Sequence, residues 1–524
     1  MAAPDPSLLR PPSLMLRLAA SGVAALILAL IGGSLAAVFW RAEAFSGLAL
    51  ADLRAIRFTL LQAALSALIS CALAIPLARA LSRRRFPGRR LMITGLGAPF
   101  LLPVIVAVFG LLALFGRNGA VNLVLKALDL PVVNIYGLQG ILIAHVFLNL
   151  PLATRMLLQG WAQIPAENFR LAASLSLSDR QVFRTIERPM LRAHLPGALV
   201  SVFLLCLTSF AVVLALGGGP RATTIELAIY EAFRLEFDLS RAALLGLVQV
   251  GLGLAAVALA LLVPQSLPSA GLDRAVSRWD GLGWRKALDA LVIFLAALFI
   301  AAPMAVVAWR GVAALAALPS SLAAPALRTV LVALMATTLV ALMAVPLALR
   351  IASSGGGSRL TEIIGTATIA ASPLVLGTGL FLLLHPFVNP IDLALPATAL
   401  INALMALPFA LRILVPAALD AEARFGRLAD SLNLPLSARL RYMLWPRLRQ
   451  PLGFALGLSA ALACGDLGAI ALFADPAAAT LPLTMYSLMD GYRTDAAAAA
   501  ALILVLLSFG LFYIFDRGLG RAQA

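Results

Sequence analysis

Runs of about 20 apolar residues alternate with short polar segments along most of this chain. Such runs are long enough for a helix to cross a bilayer, and they lack the strict alternation of membrane β-strands. We therefore predict an all-α integral membrane protein with about 12 transmembrane helices. The predicted spans are 18–40, 58–78, 91–115, 138–158, 196–216, 242–263, 288–309, 329–349, 363–384, 393–415, 452–473 and 496–515.

Landmarks of the first half of the chain recur in the second half at two fixed distances. Early landmarks return after 270 residues, as when Thr59 recurs as Thr329, and later landmarks return after 257 residues. The difference places a loss of 13 residues in the loop between the third and fourth spans. The pattern predicts two parallel repeats of six spans, over 1–263 and 288–524, joined by a cytoplasmic linker over 264–287.

Composition supports a membrane protein. Hydrophobic residues make up 62% of the chain, charged residues only 12%, and the mean hydropathy is +0.99, which excludes a water-soluble fold. A net charge of +16 would suggest nucleic acid as the partner of a soluble protein, but here 29 of the 40 lysine and arginine residues fall on one predicted side. This positive-inside bias predicts cytoplasmic termini, a lipid bilayer as the surroundings and no nucleic-acid partner.

One loop in each half carries the same pattern. It consists of an Arg-Leu-Ala triplet, a polar residue, an apolar residue and a proline at matched positions. Its members are Arg170, Leu171, Ala172, Ser176, Ile186 and Pro189 in the first loop (165–196), and Arg427, Leu428, Ala429, Asn433, Met443 and Pro446 in the second loop (416–451). Apolar residues at helical spacing predict two short amphipathic helices per loop, which could dock on a partner or lie on lipid headgroups.

This pattern resembles the coupling loop of binding-protein-dependent ABC importers, by which the membrane subunit contacts its ATPase subunit. The family pattern is Glu-Ala-Ala, three residues, Gly, and then about a dozen residues to Ile-x-x-Pro. Both loops depart from it at the Glu position, which is Arg170 or Arg427, and at the Gly position, which is Ser176 or Asn433. The departure bears on any salt bridge or tight turn formed there and leaves the helix–turn–helix shape unchanged.

Three stretches of the first half are similar to thiamine permeases of this ABC importer family, namely 83–89, 136–151 and 217–230. The resemblance implies a type I importer permease of the bacterial inner membrane that carries thiamine or its phosphate esters. It also implies two copies of an ABC ATPase subunit and a periplasmic thiamine-binding protein as partners. The candidate contact with that protein is Gly217, Gly218, Gly219, Pro220, Thr223, Thr224 and Glu226; a plain solvated loop is the alternative for the acidic part of this segment.

The chain has two lysines, Lys126 and Lys286, and neither follows a glycine-rich phosphate-binding loop. We therefore expect no catalytic residue and no cofactor on this chain, with ATP held by the partner subunits. The three cysteines and three histidines show no metal-ligand spacing, so no metal site is expected either.

Asp466 lies inside a predicted span, where a charge costs about 3 kcal/mol or more and must face the interior or a partner. It is a candidate for the substrate path of a cation such as thiamine, and a structural pair with a neighbouring helix is the rival interpretation. For the whole chain, a permease for ferric ion or a phosphonate stays open. A 12-span secondary carrier is less favoured, because the arginine-rich loop 83–90 lacks the acidic residue of such carriers. A scaffold would not need prolines inside the spans of both halves.

Overall fold

The computed structural model describes residues 14–41, 48–219, 222–261, 283–315, 319–353, 358–368, 372–473 and 478–520. Every regular element within these ranges is helical, which confirms the predicted all-α class. Pro220 and residues 264–282 of the predicted linker lie outside the described residues.

The described helices are numbered in chain order. The first half contains α1 (Leu14–Arg41), α2 (Leu50–Arg83), α3 (Arg89–Gly95), α4 (Ala98–Leu101), α5 (Val104–Phe115), α6 (Ala120–Ala127), α7 (Leu138–Gln163), α8 (Ala166–Ser174), α9 (Asp179–Val182), α10 (Arg188–Leu207), α11 (Ala211–Leu216), α12 (Ile225–Tyr230) and α13 (Leu239–Leu261). The second half contains α14 (Trp284–Ala314), α15 (Ala323–Ala352), α16 (Ser358–Ala367), α17 (Pro373–Leu384), α18 (Ala394–Ser431), α19 (Leu436–Ala438), α20 (Trp445–Cys464), α21 (Gly468–Phe473), α22 (Leu481–Asp490) and α23 (Thr494–Gly520). Single π-helical turns cover Phe183–Glu187, Glu231–Leu235 and Arg439–Leu444, and a 3₁₀ turn covers Ser320–Leu322.

Eleven helical segments in the described part of the chain are long and apolar enough to cross a membrane. The predicted spans 91–115 and 363–384 are divided, and their longest uninterrupted pieces are α5 and α17, of 12 residues each. Pro103 precedes the first residue of α5, and Pro373 is the first residue of α17. Proline disfavours the helical conformation in the residue before it but is accepted in a first helical turn, so each helix begins anew there.

The predicted spans 196–216 and 452–473 are also broken, between α10 and α11 and between α20 and α21. Non-helical backbone at membrane depth is tolerated only where its polar groups find partners within the protein. In the first half, the side-chain amides of Gln62 and Gln249 donate to the last two carbonyl groups of α10 at 2.8 and 3.2 Å. Both repeats therefore interrupt the same span at the same place.

The first helix of each half packs against the other half. Helix α1 lies against α17 and α15, while α14 lies against α5 and α2. Both crossings are close at a glycine: a Cβ atom on Gly379 would lie 2.4 Å from the carbonyl oxygen of Ser34, and one on Gly110 would lie 2.9 Å from that of Pro303. The two halves are thus interlocked by an exchange of helices, and each completes its packing with a helix of the other.

Candidate functional site

The first predicted coupling loop closes α8 with a left-handed turn. Ser176 has a φ of 52°, and the N–H groups of Ser176 and Leu177 donate to the carbonyls of Ala173 and Ala172 at 2.9 and 3.0 Å. These two hydrogen bonds form the Schellman pattern that ends many helices, usually with glycine at the left-handed position. The tight turn that the importer family makes at glycine is therefore present here with serine.

The second loop repeats this turn at the equivalent position. Asn433 has a φ of 47°, and the N–H groups of Asn433 and Leu434 donate to the carbonyls of Asp430 and Ala429 at 3.0 Å each. Asparagine adopts the left-handed region more readily than most residues, so the missing glycine is tolerated. The departure from the family pattern thus leaves the backbone of both turns intact.

The helices that the two turns close differ in length. In the first loop, Pro165 separates α7 from the short helix α8. In the second loop, the residue 257 positions later is Glu422, which continues a helix, and α18 runs unbroken from Ala394 to Ser431. The prediction of two separate short helices in the second loop was therefore wrong for its first helix, because the proline that breaks the first copy is absent.

Each loop exposes two leucines spaced four residues apart. Leu171 and Leu175 are 61% and 62% exposed, and Leu428 and Leu432 are 56% and 61% exposed. Residues four apart lie on one face of a helix, so each loop presents an apolar patch directly before its left-handed turn. Such a patch, repeated at matched positions, is typical of a docking surface.

The other predicted loop residues divide into exposed and packed ones. Arg170, Arg427 and Pro189 are exposed, Ile186 and Pro446 are half-buried, and Ala172, Ala429 and Met443 are buried. Pro189 and Pro446 lie in the first turns of α10 and α20, where their missing N–H groups cost nothing. The pattern therefore spans the exposed patch, the turn and the start of the following membrane helix.

Both loops lie on the same side of the helix bundle. Leu16, at the start of α1, packs against the apolar cluster beneath the second loop. Arg83, at the end of α2, lies 3.6 Å from Asp179 of the first loop. Two consecutive spans return a chain to the side from which it started, so the start of α1 and the end of α2 share a side, as do the two loops.

A buried ionic network, missed by the sequence analysis, holds the first loop. Arg79 near the end of α2 contacts Asp179 at 2.6 Å and Glu187 at 2.7 Å. Glu187 is fully buried, and its second oxygen accepts a hydrogen bond from the indole N–H of Trp161 at 3.2 Å. Arg79 had been counted only toward the positive-inside bias, and nothing in the sequence pairs it with an acid 108 residues away.

The network continues into the second half of the chain. Arg83 and Arg84 both contact the carboxylate of Asp289 at 2.6 Å, and Asp289 lies near the start of α14. Because α14 is one of the two exchanged helices, the charged groups link the first loop to both halves.

The second loop is held mainly by apolar packing. The buried members of the cluster beneath it are Leu349, Ala418, Ala421, Ala429, Met443, Leu444 and Leu448. The ion pairs of this loop join Arg439 to Asp430 and Glu422, within the loop and the helix that leads into it.

On the opposite side of the bundle, only part of the segment predicted to meet a binding protein reaches the surface. Gly218 and Gly219 are exposed and have φ values of 69° and 121°, a region that favours glycine. Thr223 is half-buried, whereas Gly217, Thr224 and Glu226 are buried. The prediction of Glu226 as part of an exposed acidic loop is corrected, because the second half covers its carboxyl group.

Glu226 joins the two halves. The hydroxyl of Ser372, which caps α17 in the second half, donates to Glu226 at 2.8 Å, and Gln249 in the first half donates to it at 2.9 Å. Helix α12, which carries Glu226, is too short to span the membrane. Burial raises the pKa of Glu226 to about 8, although the two hydrogen bonds act in the opposite direction.

The threonine landmarks of the repeat have the same role in each half. The hydroxyl of Thr59 accepts the N–H of Ile225 at 2.9 Å, and the hydroxyl of Thr329 accepts the N–H of Leu481 at 2.8 Å. These two N–H groups begin the short helices α12 and α22 and have no partner inside those helices. The repeat therefore preserves a helix cap as well as a pattern of residues.

Asp466 occupies the break between α20 and α21. Its two carboxylate oxygens accept N–H groups of the first turn of α21 at 3.3 Å each, and the amide of Asn402 lies beside it. In the first half, the equivalent residues are Ser209 and His145, whose hydroxyl oxygen and ring nitrogen are 2.8 Å apart. Each broken span thus carries a polar pair at its break.

Comparison with known proteins covers nearly the whole chain. No protein-family model matches it. A thiamine transport system permease protein, ThiP, of Brucella abortus (strain 2308) is 40% identical over 474 residues, or 88% of this chain and 87% of the relative. The ThiP protein of Escherichia coli (strain K12) is 40% identical over 490 residues, or 89% of each chain. The sulfate transport system permease protein CysW of Synechococcus elongatus is 25% identical over 182 residues, which covers 34% of this chain and 63% of the relative.

Proposed function

The chain belongs to the family of thiamine transport system permease proteins, and from that premise we propose that it forms the membrane pathway of an ATP-driven thiamine importer. The observation that carries the proposal is 40% identity over nearly nine-tenths of both chains, a range that includes both halves. The all-helical bundle with its eleven candidate spans agrees with a multi-pass permease. No observation favours ferric ion or a phosphonate as the substrate.

In this proposal, two copies of an ATPase subunit bind the two loops from the cytoplasm. The exposed leucine pairs support this role, because each copy meets the same apolar patch and the same turn. The charge bias supports cytoplasmic termini in a bacterial inner membrane. ATP belongs to those subunits, since the sequence of this chain offers no phosphate-binding loop around its two lysines.

The proposed mechanism moves the two loops relative to each other when the ATPase subunits close on ATP. Each loop continues directly into a membrane helix, α10 or α20, and each of these helices ends at a break beside the other half. A displacement of the loops therefore reaches the contact between the halves. On the far side, the hydrogen bond between Glu226 and Ser372 is one of the cross-half contacts that must open.

The exposed turn at Gly218 and Gly219 is our candidate for the contact with a periplasmic thiamine-binding protein. It projects from the side opposite to the loops, and Thr223 next to it is partly accessible. Gly217, Thr224 and Glu226 shape this segment from beneath. The division into halves at 1–263 and 288–524 is kept as part of the proposal.

Asp466 stays a candidate for the substrate path, with its helix cap as the rival role. In the Asp466→Asn variant, loss of a path charge would raise the KM for thiamine uptake, because a cation loses its attraction. Loss of the cap alone would lower stability by about 1 kcal/mol and leave KM unchanged. The exposed Asp392→Asn serves as the matched control, and an unchanged KM for the Asp466 variant excludes the path role.

Reconstitution in proteoliposomes tests the function directly. The chain, the ATPase subunit and the binding protein are combined, and uptake of labelled thiamine is measured with and without ATP. We expect uptake that requires ATP and all three proteins. Uptake driven by a proton gradient without the ATPase subunit would establish a secondary carrier, and ATP-driven uptake of another solute in place of thiamine would overturn the substrate.

A further inference from the structure

The two loops are anchored by different chemistry at equivalent positions. The repeat distances carry Arg79 to Leu349 and Glu187 to Leu444. Both leucines are buried in the apolar cluster beneath the second loop. An ion pair in one half therefore stands where the other half has two leucines.

The ion pair is not required to fill these positions. Glu187 is fully buried and the side chain of Arg79 is only 18% exposed, so both charges lose most of their hydration. Replacing a buried ion pair with apolar residues is often neutral or stabilising, and the second half of this chain has that arrangement. Stability alone does not account for the charges beneath the first loop.

The reach of the network indicates its role. Asp179 of the first loop lies 2.6 Å from Arg79 and 3.6 Å from Arg83. Arg83 donates two hydrogen bonds of 2.6 and 2.7 Å to Asp289, a carboxylate near the start of the exchanged helix α14. A continuous series of charged contacts therefore runs from the first loop, through the end of α2, to a helix of the other half.

The second loop meets its own exchanged helix differently. Leu16 of α1 packs against the cluster that contains Leu349 and Leu444. An open apolar groove of about 460 Å³ lies beside these two leucines, so packing there is incomplete. Apolar contacts are non-directional, whereas charge-assisted hydrogen bonds fix both distance and angle.

We infer that the first loop is the stiffer of two unequal inputs. Through positioning residues Arg79, Arg83 and Asp289, a displacement of the first loop moves α2 and α14 together, and so moves both halves at once. The second loop transmits its displacement through contacts that can slide. This inference rests on the proposed function, because it concerns how ATP hydrolysis on the partner subunits is coupled to transport.

Two variants of the assembled transporter test the inference. Arg79→Leu/Glu187→Leu gives the first loop the apolar pair of the second, and Asp289→Asn cuts the link to α14. For each, thiamine uptake and ATP hydrolysis are measured on the same proteoliposomes. We expect hydrolysis to stay near the wild-type rate while uptake falls about tenfold, an ordinary magnitude for coupling between sites. Asp289→Glu, which keeps the charge, should restore most of the uptake.

A matched control is Asp420→Asn on the second loop, where the pair with Arg424 is exposed. This variant should transport normally. The inference is overturned if both first-loop variants keep the wild-type ratio of ATP hydrolysed to thiamine transported, or if they lose uptake only because the ATPase subunit no longer binds. If the double variant does not accumulate, Asp289→Asn decides. Absence of ATP-driven thiamine uptake in the wild-type complex would instead refute the proposed function.

Discussion

Truncation of the exposed leucines on one loop should weaken binding of the ATPase subunit without destabilising the chain. The first variant is Leu171→Ala/Leu175→Ala, and the second is Leu428→Ala/Leu432→Ala. All four side chains are 56–62% exposed, so a docked partner can cover more than half of each. Substitutions at exposed sites usually change stability by less than about 0.5 kcal/mol, so folding is preserved.

The expected loss follows from the exposed fractions. Leucine exceeds alanine by three carbon groups, each worth about 0.8 kcal/mol on full burial. With three-fifths of each side chain available, one substitution removes roughly 1–1.5 kcal/mol and a pair removes roughly 2–3 kcal/mol. Since 1.4 kcal/mol is tenfold in affinity, each double variant should bind the ATPase subunit about 30- to 150-fold more weakly.

The assay is the Kd between the detergent-solubilised chain and the isolated ATPase subunit. Leu68→Ala is the matched control, because Leu68 is 56% exposed but lies within the membrane-spanning helix α2. The two double variants should be affected equally, since docking uses the same patch in each copy. A wild-type Kd for both would refute the assignment of these patches to ATPase docking.

Three further predictions concern single sites. Ser176→Gly and Asn433→Gly should each stabilise the chain by about 1 kcal/mol in thermal unfolding, with uptake unchanged, because glycine removes the left-handed strain; a loss of stability would contradict the turn geometry. Gly379→Ala should destabilise it by about 1–3 kcal/mol, since the new Cβ would lie 2.4 Å from a carbonyl of α1, whereas Gly32→Ala meets nothing within 4 Å and should not. Glu226 has a folded pKa raised from 4.5 to about 8, so stability should fall as pH rises through that window and level off above it; Glu226→Gln should flatten the profile, and an unchanged slope would exclude this group as its source.

The sequence was sufficient for the features that repeat or that depend on long apolar runs. The membrane class, most spans and the position of both loops follow from patterns of many residues, which tolerate errors at single positions. The left-handed turns were also within reach, because Ser176 and Asn433 stand where the importer family has glycine. Helix ends were less accurate, although Pro165 and its replacement by Glu422 in the second copy explain the main error.

The sequence was not sufficient for contacts between distant polar residues. Glu226 was assigned to an exposed acidic loop because isolated acids usually lie at the surface. Its burial depends on Ser372, 146 residues away in the other half. Arg79 and Glu187 likewise meet across 108 residues. No local pattern marks such pairs, since each partner alone resembles an ordinary charged residue near the end of a helix.

The exchange of first helices imposes an order on biosynthesis. Ser34 of α1 is translated 345 residues before Gly379, its close neighbour on α17. At about 5–20 residues per second, the ribosome needs roughly 20–70 s to produce that neighbour. During this interval α1 waits in the lipid without its permanent contact, open to capture by foreign helices. Tethering both halves in one translation product ensures that the matching surface emerges beside it, in equal number.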